Sequence, residues 1–435
     1  MNIKAYCIDP IISLALCPVI LLKLAWESLF KRSIEKPQPG RPLKVAYVLT
    51  DSWVGAAGGA ASHQIGFCRG LLAMGHVPIA LTSQEFPTLG KIVPDYHALV
   101  QPPLPKGYPL SIAVVANNFF FLRKSLSILK KLKPDSICQR QSQMNYSGVV
   151  LSRLLGIPFM LEYNSPASWK ASAKDRHSLL ISLVSRFIEY LNVKAADRIM
   201  VVSDVLKQKL VERGVNADIV VVNPNGADAD VFHPDLDPAP IRQRLKLDGK
   251  TVVGFAGVYR PWHGVEYLAQ AVPAIARQHK EVQFLFIGDQ GLVDLVTKIV
   301  GTDPSLGSIT FATNIPHSEM PTYYTACDVL VSPHVHMADG GTFFGSPVKI
   351  FEYMAMGKPI VASGVGQIAE LLQNESNALL TQPTDVKGIE KAVCQLAADP
   401  AARERYGKAA RQTCLDRCTW RHNAERFIVA YQKVA

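Results

Sequence analysis

The feature that most constrains this chain is a pattern of short apolar runs, each followed by a polar or glycine-rich loop and a helical stretch. In the first half, Lys44–Leu49 precedes a loop that ends at Gly58-Gly59 and opens a helical stretch. In the second half, Thr251–Ala256 precedes a loop and a helical stretch at Val265–Gln278. Such alternation is typical of parallel sheets covered by helices. We therefore predict an α/β protein of two doubly wound domains.

Length and composition agree with two packed domains. The chain has 435 residues, of which 48% are hydrophobic and 19% are charged. A chain of this size can form two hydrophobic cores, and this composition excludes an intrinsically disordered protein. The other predicted strands lie at 77–81, 135–138, 158–161, 198–203, 219–222, 283–287, 309–312, 329–332 and 360–363. We place one domain at 41–235 and the other at 236–405, preceded by a segment 1–40 and followed by a helical segment 406–435.

Polar side chains follow two predicted strands of the first domain. Arg140 follows the run at 135–138, and Glu162 and Asn164 follow the run at 158–161. Open α/β sheets bind ligands at the carboxyl ends of their strands, and a cleft between two domains is the default binding site. We therefore expect these three side chains to face that cleft.

The charge balance limits the classes of partner. A net charge of +10 and a pI near 9.1 suit anionic lipid surfaces, phosphate-bearing substrates or nucleic acid. Nucleic acid is the weakest of the three, because the sequence has no Lys/Arg block with interleaved aromatic residues. The eight cysteines are mostly isolated, and Cys414 and Cys418 lack the second ligand pair of a zinc site. They indicate buried free thiols in a reducing compartment.

The N-terminal segment contains an apolar run at 10–22. The run is shorter than the roughly 20 residues of a membrane-spanning helix, and Pro18 interrupts it. Lys23, Trp26 and Lys31 follow it, as in segments that lie at a membrane interface. We predict an interfacial membrane anchor within 1–40, and an extra helix packed on the protein is the alternative.

A glycine-rich loop and a helix with both ends marked lie at Gly340–Pro359. Ser346 suits the N-cap, Pro347 the first helical position, and Gly357 the left-handed position after the last turn. A loop that leads into a helix N-terminus offers free backbone N–H groups to an anion. Glu352, among apolar neighbours, needs a partner, either Lys349 or a ligand hydroxyl. The alternative is an ordinary βα unit with a surface Glu–Lys pair.

Two further loops stand at strand ends. Gly58 and Gly59 allow a close backbone approach, although a tight turn would use the same residues. The loop at 257–264 carries Arg260 and His263. The GxGxxG spacing is absent, so neither loop is a dinucleotide fingerprint.

These motifs, taken together, resemble the retaining glycosyltransferases of family 4, also called glycosyl transferases group 1, which have the GT-B fold. The resemblance runs from about Lys44 to the C-terminus and rests on the order and spacing of several short motifs. They are Gly58-Gly59, Asn225–Asp228 with Phe232, the loop at 257–264, Ile287–Asp289, Met320-Pro321 with Tyr323-Tyr324, Asp328-Val329 and, above all, Ser346–Ser363.

The resemblance implies a role for each candidate residue. The second domain would bind a nucleotide-sugar donor, the first would bind the acceptor, and the C-terminal helix would cross back to the first domain. Glu352 would hold the nucleotide ribose, with Arg260 and Lys349 beside it as catalytic residues at the diphosphate. The remaining donor-binding candidates are Gly59, His263, Gly341, Ser346 and again Glu352, and the acceptor-side candidates are Arg140, Glu162 and Asn164.

The chain departs from the family pattern at two positions. His263 stands where a second basic residue is usual, and Phe344 stands where the pattern has a glutamate, eight residues before Glu352. Asp339 is only a weak substitute for that glutamate. His334, His336 and Asp339 form a metal-like cluster without a firm ligand spacing, so we predict no metal and no other cofactor.

The function implied is the metal-independent, retaining transfer of a hexose-type sugar from a nucleotide sugar. The acceptor would be a polyprenyl-linked or other lipid-linked glycan or a polysaccharide, in bacterial-type surface glycan synthesis at the cytoplasmic face of the membrane. Two alternatives stay open, a nucleotide-sugar epimerase and a non-catalytic partner subunit with the same fold.

Overall fold

The computed structural model describes residues 40–50, 58–100, 110–142, 144–166 and 179–434. The predicted membrane anchor, apart from Gly40, lies outside the described residues. Within the described part of the chain, every helix is too short or too polar to cross a lipid bilayer.

The first domain is built on a parallel seven-stranded sheet of order β3-β2-β1-β4-β5-β6-β7. Its strands are β1 Lys44–Leu49, β2 Val77–Thr82, β3 Asp95–Ala98, β4 Ser136–Arg140, β5 Phe159–Tyr163, β6 Arg198–Val201 and β7 Val220–Val222. Its helices are α1 Gly59–Ala73, α2 Pro87–Gly90, α3 Leu110–Leu132, α4 Ser147–Leu155, α5 Leu179–Ala195 and α6 Asp204–Glu212. Strand β3 has no counterpart in the sequence prediction, because all four of its side chains are only half-buried.

The second domain is built on a parallel six-stranded sheet of order β10-β9-β8-β11-β12-β13. Its strands are β8 Thr251–Ala256, β9 Val282–Gly288, β10 Ile309–Thr313, β11 Val329–Ser332, β12 Ile360–Ser363 and β13 Leu379–Thr381. The helices that follow β7 are α7 Ala239–Arg244, α8 Val265–Gln278, α9 Gln290–Val300, α10 Met320–Thr325, α11 Val348–Ala355, α12 Gln367–Leu371, α13 Val386–Ala398, α14 Pro400–Arg417 and α15 Trp420–Gln432. The short edge strand β13 is also absent from the sequence prediction.

Helices cover both faces of the first sheet. On one face, Phe67 of α1 packs edge-to-face on Tyr47 of β1 and on Phe427 of α15, with centroid distances of 5.1 Å in both pairs. On the other face, α3, α4, α5 and α6 contribute side chains such as Leu129 and Leu191 to a second core. Because the strands are parallel, their carboxyl ends lie at one edge of the sheet between these two cores.

The C-terminal segment differs from the single helix predicted at 406–435. Helix α14 ends at Arg417, and Thr419 caps α15 through a capping box with His422. Helix α14 packs on α11 of the second domain, whereas α15 packs on α1 of the first. The chain therefore crosses back at Thr419. The close approach requires glycine, since a Cβ on Gly66 would lie 2.1 Å from the Trp420 ring.

Candidate active site

Helix α11 begins one residue later than predicted. Its first residue is Val348, and Ser346 is not its cap. The Ser346 hydroxyl instead accepts a hydrogen bond from the backbone N–H of Asn225 at 3.1 Å, and the Asn225 amide donates to the Ser346 carbonyl at 2.6 Å. Ser346 thus connects the glycine-rich loop of the second domain with the segment that follows β7 of the first. The other end agrees with the prediction, since Gly357 has a φ of 63°.

Glu352 is buried and already has two partners. Its Oε1 lies 2.8 Å from Nε2 of His317, and the Tyr324 hydroxyl donates to its Oε2 at 3.1 Å. Of the two partners considered from sequence, Lys349 makes no hydrogen bond to Glu352 among the described residues, and a ligand hydroxyl stays a prediction. His317 and Tyr324 both follow β10, so the loop after that strand shapes the carboxylate's surroundings.

Lys349 is a buried amine whose Nζ has no hydrogen-bond partner among the described residues. It lies 4.6 Å from the centroid of the Phe255 ring, and a Cβ on Gly257 would lie 2.7 Å from Nζ. Burial lowers the pKa of this amine to about 7, and the charge of Glu352 only partly opposes that effect. A desolvated amine without a partner suits an incoming anion.

His263 and His334 lie beside this amine, with ring centroids 5.3 Å apart. His263 Nδ1 is 2.8 Å from the Val258 carbonyl, and His334 Nδ1 is 3.0 Å from the Ser332 hydroxyl. Burial, followed by the charge of Lys349, lowers both imidazole pKa values well below the usual range. His334 Nε2, like Lys349 Nζ, is buried without a partner in the described residues. Both rings are neutral near pH 7.

Arg260 lies at the exposed end of the same loop. Its guanidinium donates to the Tyr259 carbonyl at 2.8 Å, and its charge contributes to the lowered pKa of His263. The loop is held against the segment after β11 at Gly264, which has a φ of 61° and where a Cβ would lie 1.9 Å from the Pro333 carbonyl oxygen. Arg260 is thus exposed at one end of the loop, whereas the Lys349 amine is buried beside Gly257 at the other.

The glycine-rich loop carries no buried carboxylate. The Phe344 ring is buried, and the Lys209 amine lies 5.2 Å from the centroid of that ring. The backbone carbonyl of Phe344 accepts a hydrogen bond from the Ser203 hydroxyl at 2.6 Å. Asp339 is exposed and accepts from the backbone N–H of Gly341 at 3.0 Å. Among the described residues, no group of three His, Cys, Asp or Glu side chains is placed to hold a metal ion.

The start of α1 faces the start of α11 across the domain boundary. A Cβ on Gly59 would lie 3.6 Å from Val348, which is ordinary van der Waals contact. The Ser62 hydroxyl lies 3.1 Å from Nε2 of His317, the same nitrogen that contacts Glu352. Gly59 and Glu352, which lie in different domains, therefore border one cleft.

Arg140, Glu162 and Asn164 form one cluster in the first domain. Glu162 accepts from the Tyr47 hydroxyl at 2.6 Å, from Arg140 Nη1 at 2.8 Å and from the Asn164 amide. His63 Nε2 lies 2.9 Å from the same carboxylate. Burial alone would raise the pKa of Glu162, but His63 and Arg140 outweigh it and hold that pKa at about 2. Glu162 is therefore a permanent anion that positions its neighbours.

Sequence reasoning missed the residues that join the two halves of the cleft. His63, given no role from sequence, has its Nδ1 2.5 Å from the Asn225 side-chain oxygen, and so connects Glu162 with the Ser346 loop. His317 does the same between Ser62 and Glu352. His317 could have been found, because it follows a strand end as Arg140 does. No local pattern marks His63, which lies inside α1.

The comparisons with known proteins bear on both domains. Residues 57–231 match the family model described as Glycosyltransferase Family 4, and residues 250–399 match the model described as Glycosyl transferases group 1. The chain belongs to these glycosyltransferases. It is a nucleotide-sugar-dependent enzyme, and the predicted family is confirmed.

Curated relatives of this glycosyltransferase act on diverse acceptors. The 2-deoxystreptamine glucosyltransferase of Streptomyces kanamyceticus is 26% identical over 371 residues, which cover 80% of this chain and 92% of the relative. The GDP-mannose-dependent alpha-(1-6)-phosphatidylinositol monomannoside mannosyltransferase of Mycolicibacterium smegmatis is 28% identical over 205 residues, which cover 47% of this chain. The match spans about half, 54%, of that relative's length.

Solved structures share the fold. A glycosyltransferase from Rickettsia africae ESF-5 has a TM-score of 0.68 at 18% identity, and the match covers 91% of this chain and 99% of that one. Anabaena HepE, in complex with UDP and glucose, has a TM-score of 0.68 at 17% identity and covers 90% of this chain and 100% of its own. The predicted GT-B architecture of two Rossmann-like domains is thereby confirmed.

Proposed function

We propose that this glycosyltransferase is a retaining, metal-independent enzyme that moves a hexose-type sugar from a nucleotide sugar held by the second domain. One observation carries the donor assignment. Two buried nitrogen atoms, Lys349 Nζ and His334 Nε2, lack partners in the described residues, and Lys349 Nζ lies 2.7 Å from where a Cβ on Gly257 would be. Buried polar atoms without partners are rare, and a diphosphate would satisfy both.

When the nucleotide diphosphate departs, the main electrostatic role of this site is to stabilise the charge that develops. As the bond to the anomeric carbon breaks, negative charge grows on the diphosphate and positive charge on the sugar. Lys349 and Arg260 would contact the diphosphate, and His263 would become a further hydrogen-bond donor once the anion's charge protonates its second ring nitrogen. The N-terminus of α11, which follows Ser346 and Gly341, would add its backbone N–H groups.

Glu352 would accept hydrogen bonds from the ribose hydroxyls. Its contacts with His317 and Tyr324 fix the carboxylate's orientation and leave its remaining lone pairs for a ligand. Gly59, on the facing helix, keeps the opposite wall free of a side chain. Retention is carried over from the family resemblance, and Phe344 bears on its route, because no carboxylate stands where a nucleophile would attack the sugar. The donor phosphate would then accept the acceptor's proton during transfer on the same face.

The acceptor would bind on the first domain, beside Arg140, Glu162 and Asn164. Since Glu162 is fully engaged, the side-chain oxygen of Asn164, which has no partner among the described residues, would orient an acceptor hydroxyl beside Arg140. We place the acceptor among lipid-linked glycans or polysaccharides of a bacterial-type cell surface, and the enzyme at the cytoplasmic face of the membrane. The basic charge and the buried free cysteines support this location.

Calorimetric titration with UDP- and GDP-sugars tests the donor site. We expect the wild type to bind one nucleotide series, and Glu352→Gln to weaken that binding about tenfold to a hundredfold, since a buried charged acceptor is lost. Glu390→Gln is the matched control, because Glu390 is also hydrogen-bonded, to Gln278 at 2.7 Å, but on the outer helix α13.

Three outcomes would contradict the proposal. Equal binding by wild type and Glu352→Gln would remove the donor-site assignment. An epimerised free sugar nucleotide formed without acceptor would favour an epimerase. A wild type that binds no nucleotide sugar in the screen would favour a non-catalytic partner subunit, the alternative that His263 and Phe344 suggest.

A further inference from the structure

Helix α5 exposes a stripe of large apolar side chains. Leu183 is 53% exposed, Phe187 42% and Tyr190 53%. Their spacing of four and then three residues places them on one face of the helix. Large apolar side chains scattered singly are ordinary on a protein surface, whereas three aligned on one helix form a continuous apolar patch that an interaction could cover.

The stripe is accompanied by basic residues. Arg186 and Lys194 are exposed on the same face, and the Lys194 amine lies 5.8 Å from the centroid of the Tyr190 ring. The sole acid of α5, Glu189, is buried and accepts from the Tyr163 hydroxyl at 2.6 Å. The exposed surface of α5 is therefore apolar and cationic.

Helix α3, on the same face of the sheet, extends this charge. It contains no acidic residue, and its exposed basic side chains are Arg123, Lys124, Lys130 and Lys131. Between α3 and α5 lies the short helix α4, most of whose side chains are buried. The two long helices thus present one cationic face with an apolar stripe.

This face adjoins the acceptor side of the cleft. Helix α5 ends at Ala195, three residues before β6 begins at Arg198, so its C-terminus lies at the amino edge of the parallel sheet. Its 17 residues span about 25 Å in the opposite direction, which brings its first turns toward the carboxyl edge. Glu162 and Asn164 lie at that edge. Leu183 is therefore the part of the stripe nearest the cleft.

We propose that the α3–α5 face docks on an anionic phospholipid bilayer. Leu183, Phe187 and Tyr190 enter the interface between headgroups and acyl chains, while Arg186 and Lys194 contact lipid phosphates. The proposal deepens the proposed function, since it sets the acceptor side of the cleft against the membrane that would supply a lipid-linked acceptor.

Co-sedimentation of the full chain with vesicles tests the docking. The wild type should bind phosphatidylglycerol–phosphatidylcholine vesicles and bind pure phosphatidylcholine vesicles weakly. The variant Leu183→Ser/Phe187→Ser/Tyr190→Ser should lose tenfold or more of the binding to anionic vesicles, roughly the loss expected for three inserted side chains. Arg186→Glu/Lys194→Glu should lose about tenfold on anionic vesicles alone.

The control variant is Leu415→Ser/Val429→Ser, which changes exposed apolar residues on α14 and α15. It should sediment as the wild type does, and unchanged circular dichroism and thermal unfolding should show that all variants fold. Wild-type sedimentation by the triple serine variant would overturn the proposal and assign any membrane contact to segment 1–40. A dimeric wild type and monomeric triple variant in light scattering would also overturn it, since a second copy would then cover the stripe.

Nucleotide-sugar binding, measured on the same preparations, keeps the two proposals apart. The serine and glutamate variants should bind donor with wild-type affinity, because the changed side chains lie on α5 of the first domain, whereas the donor would bind the second. Vesicle binding without donor binding would leave the docking surface intact and refute the proposed donor site. Donor binding without vesicle binding would do the reverse.

Discussion

At the scale of single residues, Lys349 is held in a state that costs folding free energy. Its pKa falls from 10.5 to about 7, so between these pH values the unfolded chain binds a proton that the folded chain lacks. Below the folded pKa the whole cost is present. As the pH rises toward 10.5, the cost disappears and the protein becomes more stable.

We expect Lys349→Met to stabilise the unliganded protein by about 2 kcal/mol near neutral pH, because methionine fills the same space without a buried amine. The advantage should shrink as the pH rises toward 10. Urea unfolding at several pH values measures this, and calorimetry of the same variant should show donor binding lost. Lower stability of Lys349→Met across the whole range would contradict the burial argument.

Donor binding should take up protons. A diphosphate placed against Lys349, His263 and His334 would raise pKa values that burial lowers in the free protein. Titrations at about pH 8, in buffers of different ionisation enthalpy, should show uptake of about one proton per nucleotide. Lys349→Arg, whose charge is fixed, should reduce the uptake while it keeps measurable binding. Buffer-independent heats for the wild type would contradict the prediction.

Lys349 and His317 illustrate what sequence could and could not reveal at this scale. Lys349 and Glu352 lie in one marked helix, so the sequence alone predicted that they share a neighbourhood, and the family resemblance added the ligand. The contacts of His317 are set by tertiary structure, since Glu352 is 35 residues away along the chain and Ser62 is 255. A side chain whose partners come from other elements leaves no periodic signal.

At the scale of elements, a comparison of Gly357 with Gly264 distinguishes the cost of backbone strain from the cost of a steric clash. Both have positive φ, 63° at Gly357 and 61° at Gly264. A Cβ at Gly357 would meet atoms no closer than 3.7 Å, whereas one at Gly264 would lie 1.9 Å from the Pro333 carbonyl oxygen. Alanine at Gly357 therefore brings strain alone, but alanine at Gly264 also forces the donor-side loop to move.

We expect Gly357→Ala to lower the free energy of unfolding by about 1 kcal/mol and to leave donor affinity unchanged. Gly264→Ala should cost at least about 2 kcal/mol more and weaken donor binding, since His263 moves with the loop. Chemical unfolding and nucleotide calorimetry on the pair measure both effects. Equal costs would show that the loop relaxes freely.

The predicted ends of helices were wrong where tertiary contacts override the local sequence signals. Ser346 has the chemistry of an N-cap, but Asn225 binds its hydroxyl and the helix starts later. No glycine or proline marks the break between α14 and α15. Thr419 ends the run there because Trp420 packs on α1, and the capping box uses His422 in place of the usual Glu or Gln. The strand–helix order was predictable because apolar periodicity depends on burial alone.

At the scale of the whole molecule, two series of polar side-chain contacts join the domains across the cleft. One runs from Ser62 through His317 to Glu352, and the other from Glu162 through His63 and Asn225 to Ser346. The first series contains a titratable residue, His317. Burial lowers the pKa of His317 and Arg69 opposes its charge, but the hydrogen bond and charge of Glu352 outweigh both, so the net pKa is raised above 6.5.

Because of this raised pKa, the stabilisation from the Ser62–His317–Glu352 contacts depends on pH. The stabilisation by His317 is complete below its unfolded pKa of about 6.5 and is lost as the pH rises through the higher folded pKa. We expect His317→Gln to destabilise the protein more near pH 5.5 than near pH 8, in urea unfolding at both values. Because the contact bridges the domains, small-angle scattering should also show a larger radius of gyration for the variant at the lower pH.

The matched control for this prediction is His279→Gln. His279 Nδ1 lies 3.0 Å from Glu281, but both residues belong to the second domain. Its loss should leave the radius of gyration unchanged at either pH. If both variants give the same pH-dependent loss of stability and neither changes the scattering, His317 acts as a local ion pair and the domains are held by other contacts. An effect on scattering confined to His317→Gln would instead make protonation of this residue part of cleft closure, with Glu352 linking closure to the donor site.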